Sequence, residues 1–302
     1  MTDPQPRQPQ SAASAARRAT DDPNVFLVPH EALPPGFADR VRTGGFAPVP
    51  PRPAATVLLV RDSADGPEFL LLRRHGRSGF AAGAWVFPGG VVDAGDREAG
   101  LVDRLDGPTP MQWAERLGLD DPEQAVAFVL AAVREAFEET GILLARLADD
   151  ATNPGGRQGL DVARRALLAE VVDLRQVIVT RSLRVMGDGL LYLAHWITPE
   201  AEPRRYDTRF FLARVDADAV CTPHEGEMTE SVWLTARGAV HFFEDGSLKM
   251  LPPTVHTLRR MASYGSVDEI FAALADAPVP AIMPLMRVVP DGVAIEMPPE
   301  AW

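Results

Sequence analysis

A single cysteine, Cys221, in 302 residues excludes an intramolecular disulfide and fits a reducing compartment. Alone, it reads as a small buried hydrophobe. Positive charge is scarce too: 30 Lys and Arg stand against 42 Asp and Glu, a net charge of −12. Such a chain lacks the clustered cations that displace counterions from a nucleic-acid backbone or hold to an anionic membrane. No stretch approaches the roughly 20 apolar residues that span a bilayer, and the N-terminus has no apolar signal core. The closing Pro-Glu-Ala-Trp is no peroxisomal tripeptide. The expectation is a cytoplasmic chain with no nucleic-acid and no membrane partner. Also missing are Cys/His zinc spacing, a G-x-S-x-G elbow and a phosphate loop ending in Gly-Lys-Ser/Thr, which leaves a serine hydrolase or a nucleotide-driven motor unsupported.

What is present suits a folded domain with a sizeable core, with 46% hydrophobic and 24% charged residues. The length admits one large domain or two small ones. Residues 1–24, rich in Pro, Gln, Ser, Ala and Arg, read as a disordered tail. Residues 25–302 read as a single domain with an insertion at about 97–124 and a C-terminal helical extension. Residues 25–53 form an extended arm in this reading. Ala55–Val60 and Glu68–Leu72 are strands joined by a turn, and Leu190–Ile197, Arg209–Val215 and Glu230–Leu234 are further strands. Helices are expected at Val162–Val172 with Asp161 as cap, Ala236–Phe243, Pro253–Ala262 and Val267–Ala275, with a helical remnant after Gly141 and a last strand within 278–302. Strands and helices mixed in this order point to an α+β fold with its β core between helices. His195, between Ala194 and Trp196, reads as a hydrogen-bonded core residue; it and His224 are left out of the candidate site.

One stretch carries concentrated chemistry. In Ala-Ala-Val-Arg-Glu-Ala-Phe-Glu-Glu-Thr-Gly, starting at residue 131, Glu135, Glu138 and Glu139 fall three and four apart and share one helix face. Their mutual repulsion becomes binding when a hard divalent cation is set against them. Val126, Val129, Leu130, Val133 and Phe137 form an apolar stripe opposite. Gly141 marks the end of the helix. Upstream, Arg73, Arg74, His75 and Arg77 precede Phe87-Pro88-Gly89-Gly90. Guanidinium forks beside glycines suit phosphate oxygens, while a solvated charge run at a strand end is the plainer alternative. Gly89 and Gly90 read as a bend beneath the acidic helix, where a side chain would interfere.

These residues resemble the Nudix hydrolase signature G-x5-E-x7-R-E-U-x-E-E-x-G-U, where U is bulky and apolar. Its second half is matched by Arg134, Glu135, Ala136, Glu138, Glu139, Gly141 and Ile142, and its first half by Phe87-Pro88-Gly89-Gly90 with Asp96 at the usual Glu position. An uninterrupted signature would place its Arg at 104, so Arg134 comes thirty residues late. Such a split resembles the branch of acyl-coenzyme A diphosphatases of the peroxisomal type and their bacterial relatives. Trp196-Ile-Thr-Pro199, Arg209-Phe-Phe-Leu-Ala213 and Leu251-Pro-Pro-Thr254 resemble that branch as well.

The resemblance implies a Nudix α/β/α sandwich with a mixed β-sheet. It further implies Mg²⁺ or Mn²⁺ held by Glu135, Glu138 and Glu139, with Arg134 orienting a glutamate through an ion pair. The implied reaction is hydrolysis of a small-molecule phosphoanhydride, with coenzyme A or acyl-coenzyme A as leading substrate. Nucleotide-sugar, ADP-ribose or dinucleotide cleavage is the runner-up, and a non-catalytic nucleotide-sensing module the alternative of another class. Glu138 or Glu135 on the helix and Glu227 in the acidic stretch Pro223–Glu230 are candidates for the catalytic base, with Glu225 and Glu230 beside it. Arg73, Arg74, Arg77, Gly89 and Gly90 are candidates for holding substrate. Asp96 is expected to support the loop rather than bind metal. The insertion is expected to form a short helix beside the site that shapes specificity, and a homodimer is left open.

Overall fold

The two β-branched runs near the start of the domain become long strands, Arg52–Arg61 and Glu68–Arg74, paired antiparallel through Val60 with Phe69 and Arg61 with Glu68. The computed structural model describes residues 18–19, 22–44, 46–76, 81–97, 99–148 and 156–298. Within them these strands sit in a sheet of order Met228–Thr235, Glu68–Arg74, Arg52–Arg61, Tyr206–Arg214, Leu190–Ile197, Ala281–Ile282. Two short strands, Trp85–Val86 and Gly89–Val91, pair onto Glu68–Arg74 and Arg52–Arg61. Arg52–Arg61 runs parallel to Tyr206–Arg214, which is antiparallel to Leu190–Ile197, so the sheet is mixed.

Alternating side chains on a strand point to opposite faces, and both faces here are apolar. Ala55, Val57, Leu59, Leu70 and Leu72 pack with the Pro122–Thr140 helix, while Leu58, Val60, Phe69 and Leu71 pack with Ala236, Val255 and Ile270 of three later helices. Those helices are Ala236–Glu244, Pro252–Met261 and Val267–Leu274. The result is the expected α+β sandwich of helices on both sides of a mixed sheet.

Several expectations need correction. The helix expected from Val162 with Asp161 as cap spans Gly156–Leu168, which puts Asp161 inside it. Most of the preceding turn lies outside the described residues. No helical remnant follows Gly141; Ala145–Leu147 is a short strand paired with Leu183–Val185, because the left-handed Gly141, φ 76°, redirects the chain. The arm at 25–53 is not extended throughout: glycines in left-handed conformation, Gly36 at 76° and Gly44 at 59°, bracket a helix at Phe37–Thr43. The C-terminal extension is not only helical. Leu285–Val289 and Gly292–Glu296 form a second sheet with Val25–Pro29 and Arg18–Ala19. Of the expected tail, only Arg18–Ala19 and residues 22–24 are described, and the former pair with Leu27 and Phe26.

The insertion is built into the core. Thr109 caps a helix over Pro110–Leu117 through a capping box with Gln112. Its Trp113 and Leu117 are buried with Leu101 and Leu105 against Phe128 and Val129 of the acidic helix. Trp113 meets Phe211 of the sheet edge-on, with ring centroids 6.0 Å apart. The helix therefore forms, as expected, but as core.

Candidate active site

The acidic helix runs from Pro122 to Thr140, capped by the Asp121 side chain on Glu123 N–H and ended by Gly141. Beyond its first turn the stretch from Ala125 to Val133 is buried on every side, and the last two turns carry the charges. The backbone carbonyls at its end, which have no partner within a helix, are taken up from two directions. Arg164 Nη2 donates to Glu138 O at 2.7 Å and Arg164 Nε at 3.1 Å. Thr222 N–H donates to Thr140 O at 2.8 Å and His224 N–H to Glu139 O at 3.0 Å. This second set ties the Pro223–Glu230 stretch to the helix and brings Glu227 into electrostatic contact with Glu139. A cation at the C-terminal end also suits the helix dipole.

The two halves of the split signature meet here. Gly89 N–H donates to Glu139 Oε2 at 3.1 Å. A Cβ on Gly90 would lie 2.2 Å from Glu135 Oε1, and one on Gly89 would lie 2.5 Å from Ala55 O. Gly89 is therefore required by its approach to backbone, while Gly90 leaves room for the Glu135 carboxylate. Asp96 is 3% exposed. It holds Arg134 in a two-point fork, Nε to Oδ1 and Nη2 to Oδ2, both 2.9 Å, and accepts from Asp93 N–H at 2.8 Å. The shorter acid thus serves as a support, as expected. Arg134 extends Nη1 to Glu135 Oε1 at 2.8 Å and Glu138 Oε2 at 3.1 Å, and Nη2 to Val91 O at 2.9 Å.

The electrostatics are those of crowded, desolvated acids. Burial, helped by Glu138, pushes the Glu135 carboxyl up to about 7 against the Arg134 charge. Burial pushes Glu139 well above its ordinary value, and the Glu135 charge adds to it. Burial raises Glu138 as well, opposed by Arg134. Burial would lower the Arg134 guanidinium, but its bonds to Asp96 and the charge of Glu135 hold it above the ordinary arginine value. Among the described residues no three acidic, imidazole or thiol groups are arranged as a metal cage, since Glu135 and Glu138 turn toward Arg134. The donor set nevertheless fits a hard divalent cation: it offers carboxylate oxygens only, on one helix face, with a single Arg134 paired to Glu135 and Glu138.

These groups open on a cavity of about 810 Å³. It is lined by Arg74, Gly90, Glu135, Glu138, Glu139 and Glu227, and also by Pro252, Pro253, Trp196, Phe210, Met286 and Ile295, the last four of which belong to one apolar cluster. Of the candidate substrate residues, Arg74, Gly89 and Gly90 reach it. Arg73 does not: as the strand neighbour of Arg74 it points the other way and pairs with Glu230 at 2.6 Å on the surface. Glu230 is thereby removed from the candidates for base. Arg77 lies outside the described residues. None of the described residues of 97–124 lines this cavity, but Leu101 lies beside the site, in a second, smaller pocket with Asp96, Arg134 and Glu138. His195 bonds Asp207 at 2.6 Å and Arg209 at 2.7 Å, a core histidine as expected, whereas His224 lines the cavity after all. Arg164 escaped the sequence reading because a lone Arg on an amphipathic helix carries no signal of what it caps.

A family model described as NUDT19 Nudix domain matches residues 51–261. The chain belongs to the Nudix family. It is similar to the acyl-coenzyme A diphosphatase NUDT19 of Homo sapiens, 29% identical over 238 residues that cover 68% of this chain and 64% of that protein. The Xenopus laevis protein of the same name is 26% identical over 76% of this chain and 70% of its own length. Among solved structures, a Nudix hydrolase from Alicyclobacillus acidocaldarius superposes with a TM-score of 0.58 at 27% identity, covering 77% of this chain and all of that one. Among the described residues no helix is long and apolar enough to cross a membrane.

Proposed function

We propose that this Nudix chain hydrolyses the phosphoanhydride of coenzyme A and its acyl esters with Mg²⁺ or Mn²⁺, releasing 3′-phosphoadenosine 5′-phosphate and a 4′-phosphopantetheine product. The observation that carries the reaction is the closure of Gly89 and Gly90 onto Glu139 and Glu135 at one end of a large cavity. The substrate class is supported by the names of the human and Xenopus relatives. Glu135, Glu138 and Glu139 would hold the metal. When bound it neutralises the diphosphate, polarises phosphorus and acidifies water.

The chain's own residues prepare the rest. Arg134, fixed by Asp96, holds Glu135 and Glu138 in place on the cavity lining through Nη1. Gly89 N–H fixes one oxygen of Glu139. Arg74 lines the same cavity, and a guanidinium there suits phosphate oxygens. Glu227 is the base in this reading: it lines the cavity opposite Glu139 and carries no ion pair among the described residues, so its carboxylate is free to take a proton from water.

Product analysis with Mg²⁺ or Mn²⁺ against coenzyme A, an acyl-coenzyme A, ADP-ribose, NADH and a nucleotide sugar tests this. Metal-dependent cleavage of the coenzyme A compounds above the rest is expected. Preference for ADP-ribose or a nucleotide sugar would remove the substrate assignment. Glu139→Gln should lower turnover at least about a hundredfold yet unfold no earlier than the parent, because it removes a desolvated charge. Retained activity would take the helix out of the mechanism.

A further inference from the structure

We propose that the apolar end of the cavity is an acyl-chain subsite whose outer wall is supplied by the second sheet, so that Met286 and Ile295 determine specificity among acyl esters. The inference rests on the coenzyme A reading above and deepens it. Pro284, Met286 and Ile295 line the same cavity as Glu135 and Glu139, yet they lie beyond the 51–261 span that matches the family model. Met286 and Ile295 stand directly opposite each other in the antiparallel pair Leu285–Val289 and Gly292–Glu296, so their side chains share one face of that sheet. The sheet is held in place by Phe26 and Ile295, which join the core beside Val255, Leu258 and Ile270.

The chemistry of this end selects its occupant. Pro252, Pro253, Pro284, Met286 and Ile295 offer no side-chain N–H or O–H, so a purine or a phosphate placed among them would lose hydrogen bonds to water without replacement. A methylene chain loses nothing and gains by leaving water. Methionine is unbranched and soft, and adapts to chains of different length. An acyl-coenzyme A has the matching layout, with a diphosphate toward one end and an aliphatic chain at the other, joined by an extended arm.

The test compares kcat/KM for coenzyme A, acetyl-coenzyme A and dodecanoyl-coenzyme A in the parent chain and in Met286→Trp and Met286→Gln. The first variant narrows the subsite and the second makes it polar at nearly constant length. The loss on dodecanoyl-coenzyme A should exceed the loss on coenzyme A by about tenfold or more, mostly through KM, with acetyl-coenzyme A following coenzyme A. Equal losses on all three overturn the subsite while leaving the coenzyme A reading intact. A loss confined to coenzyme A and acetyl-coenzyme A overturns it as well. If the parent cuts none of the three, the coenzyme A reading falls and the subsite with it. Should Met286→Trp fail to fold by circular dichroism, Met286→Gln decides alone.

Discussion

The acidic end of the Pro122–Thr140 helix and the insertion that precedes it interrupt the same signature in opposite senses. The acidic end gathers desolvated carboxylates that repel one another, held by Arg134, Asp96 and two glycines. The insertion, thirty residues that separate the signature's halves, buries Leu101, Leu105, Trp113 and Leu117 and contributes nothing to the large cavity. One region places charge where the fold would not choose it. The other supplies apolar area that helps hold it there. Distance along the chain therefore says little about distance in the site: Gly89 and Glu139 are hydrogen-bonded across fifty residues.

The largest expected effect follows from the insertion. Deleting residues 100–120 should leave the chain insoluble or unfolded, since loss of one large buried aromatic alone costs about 3–5 kcal/mol. Circular dichroism and thermal unfolding decide; a folded deletion variant with altered substrate preference would restore the insertion as a specificity element. Next comes the support beneath the acids. Asp96→Ala leaves Arg134 buried beside an empty place and should cost about 3–5 kcal/mol in denaturant unfolding. A cost near zero would mean that Asp96 supports nothing.

The smallest effect separates two neighbours. Arg73→Ala breaks an exposed pair, with side chains 43% and 52% exposed, and should change stability by under about 1 kcal/mol. Its kcat/KM should stay within experimental scatter, whereas Arg74→Ala should lose about tenfold or more. Equal losses would place both arginines on the substrate.

The contrast between Arg73 and Arg74 also marks what was legible in the sequence. Composition and spacing identify an arginine cluster next to glycines, but the period of two that separates the neighbours depends on the register with Met228–Thr235, set by residues more than 150 positions away. The strands and the acidic helix were legible because their apolar periods are long. So was the acidic helix face, because Glu135, Glu138 and Glu139 stand at helical spacing beside Arg134 and before Gly141. The role of the insertion was not, since Trp113 and Leu117 show an apolar face without showing what covers it. Nor was the second sheet: Pro-punctuated short runs at 278–302 gave one strand where pairing with Val25–Pro29 makes several.

That pairing has a consequence for how the protein comes to exist. Val25 faces Glu296 and Pro29 faces Gly292, and Arg52–Arg61 finds its parallel neighbour only at Tyr206–Arg214. During synthesis Val25–Pro29 and Arg52–Arg61 wait for partners made much later, and pairing across such separations is slow. The wall carrying Met286 and Ile295 is completed only after Gly292–Glu296 has been made, so a chain cut short before it carries the carboxylates without that wall.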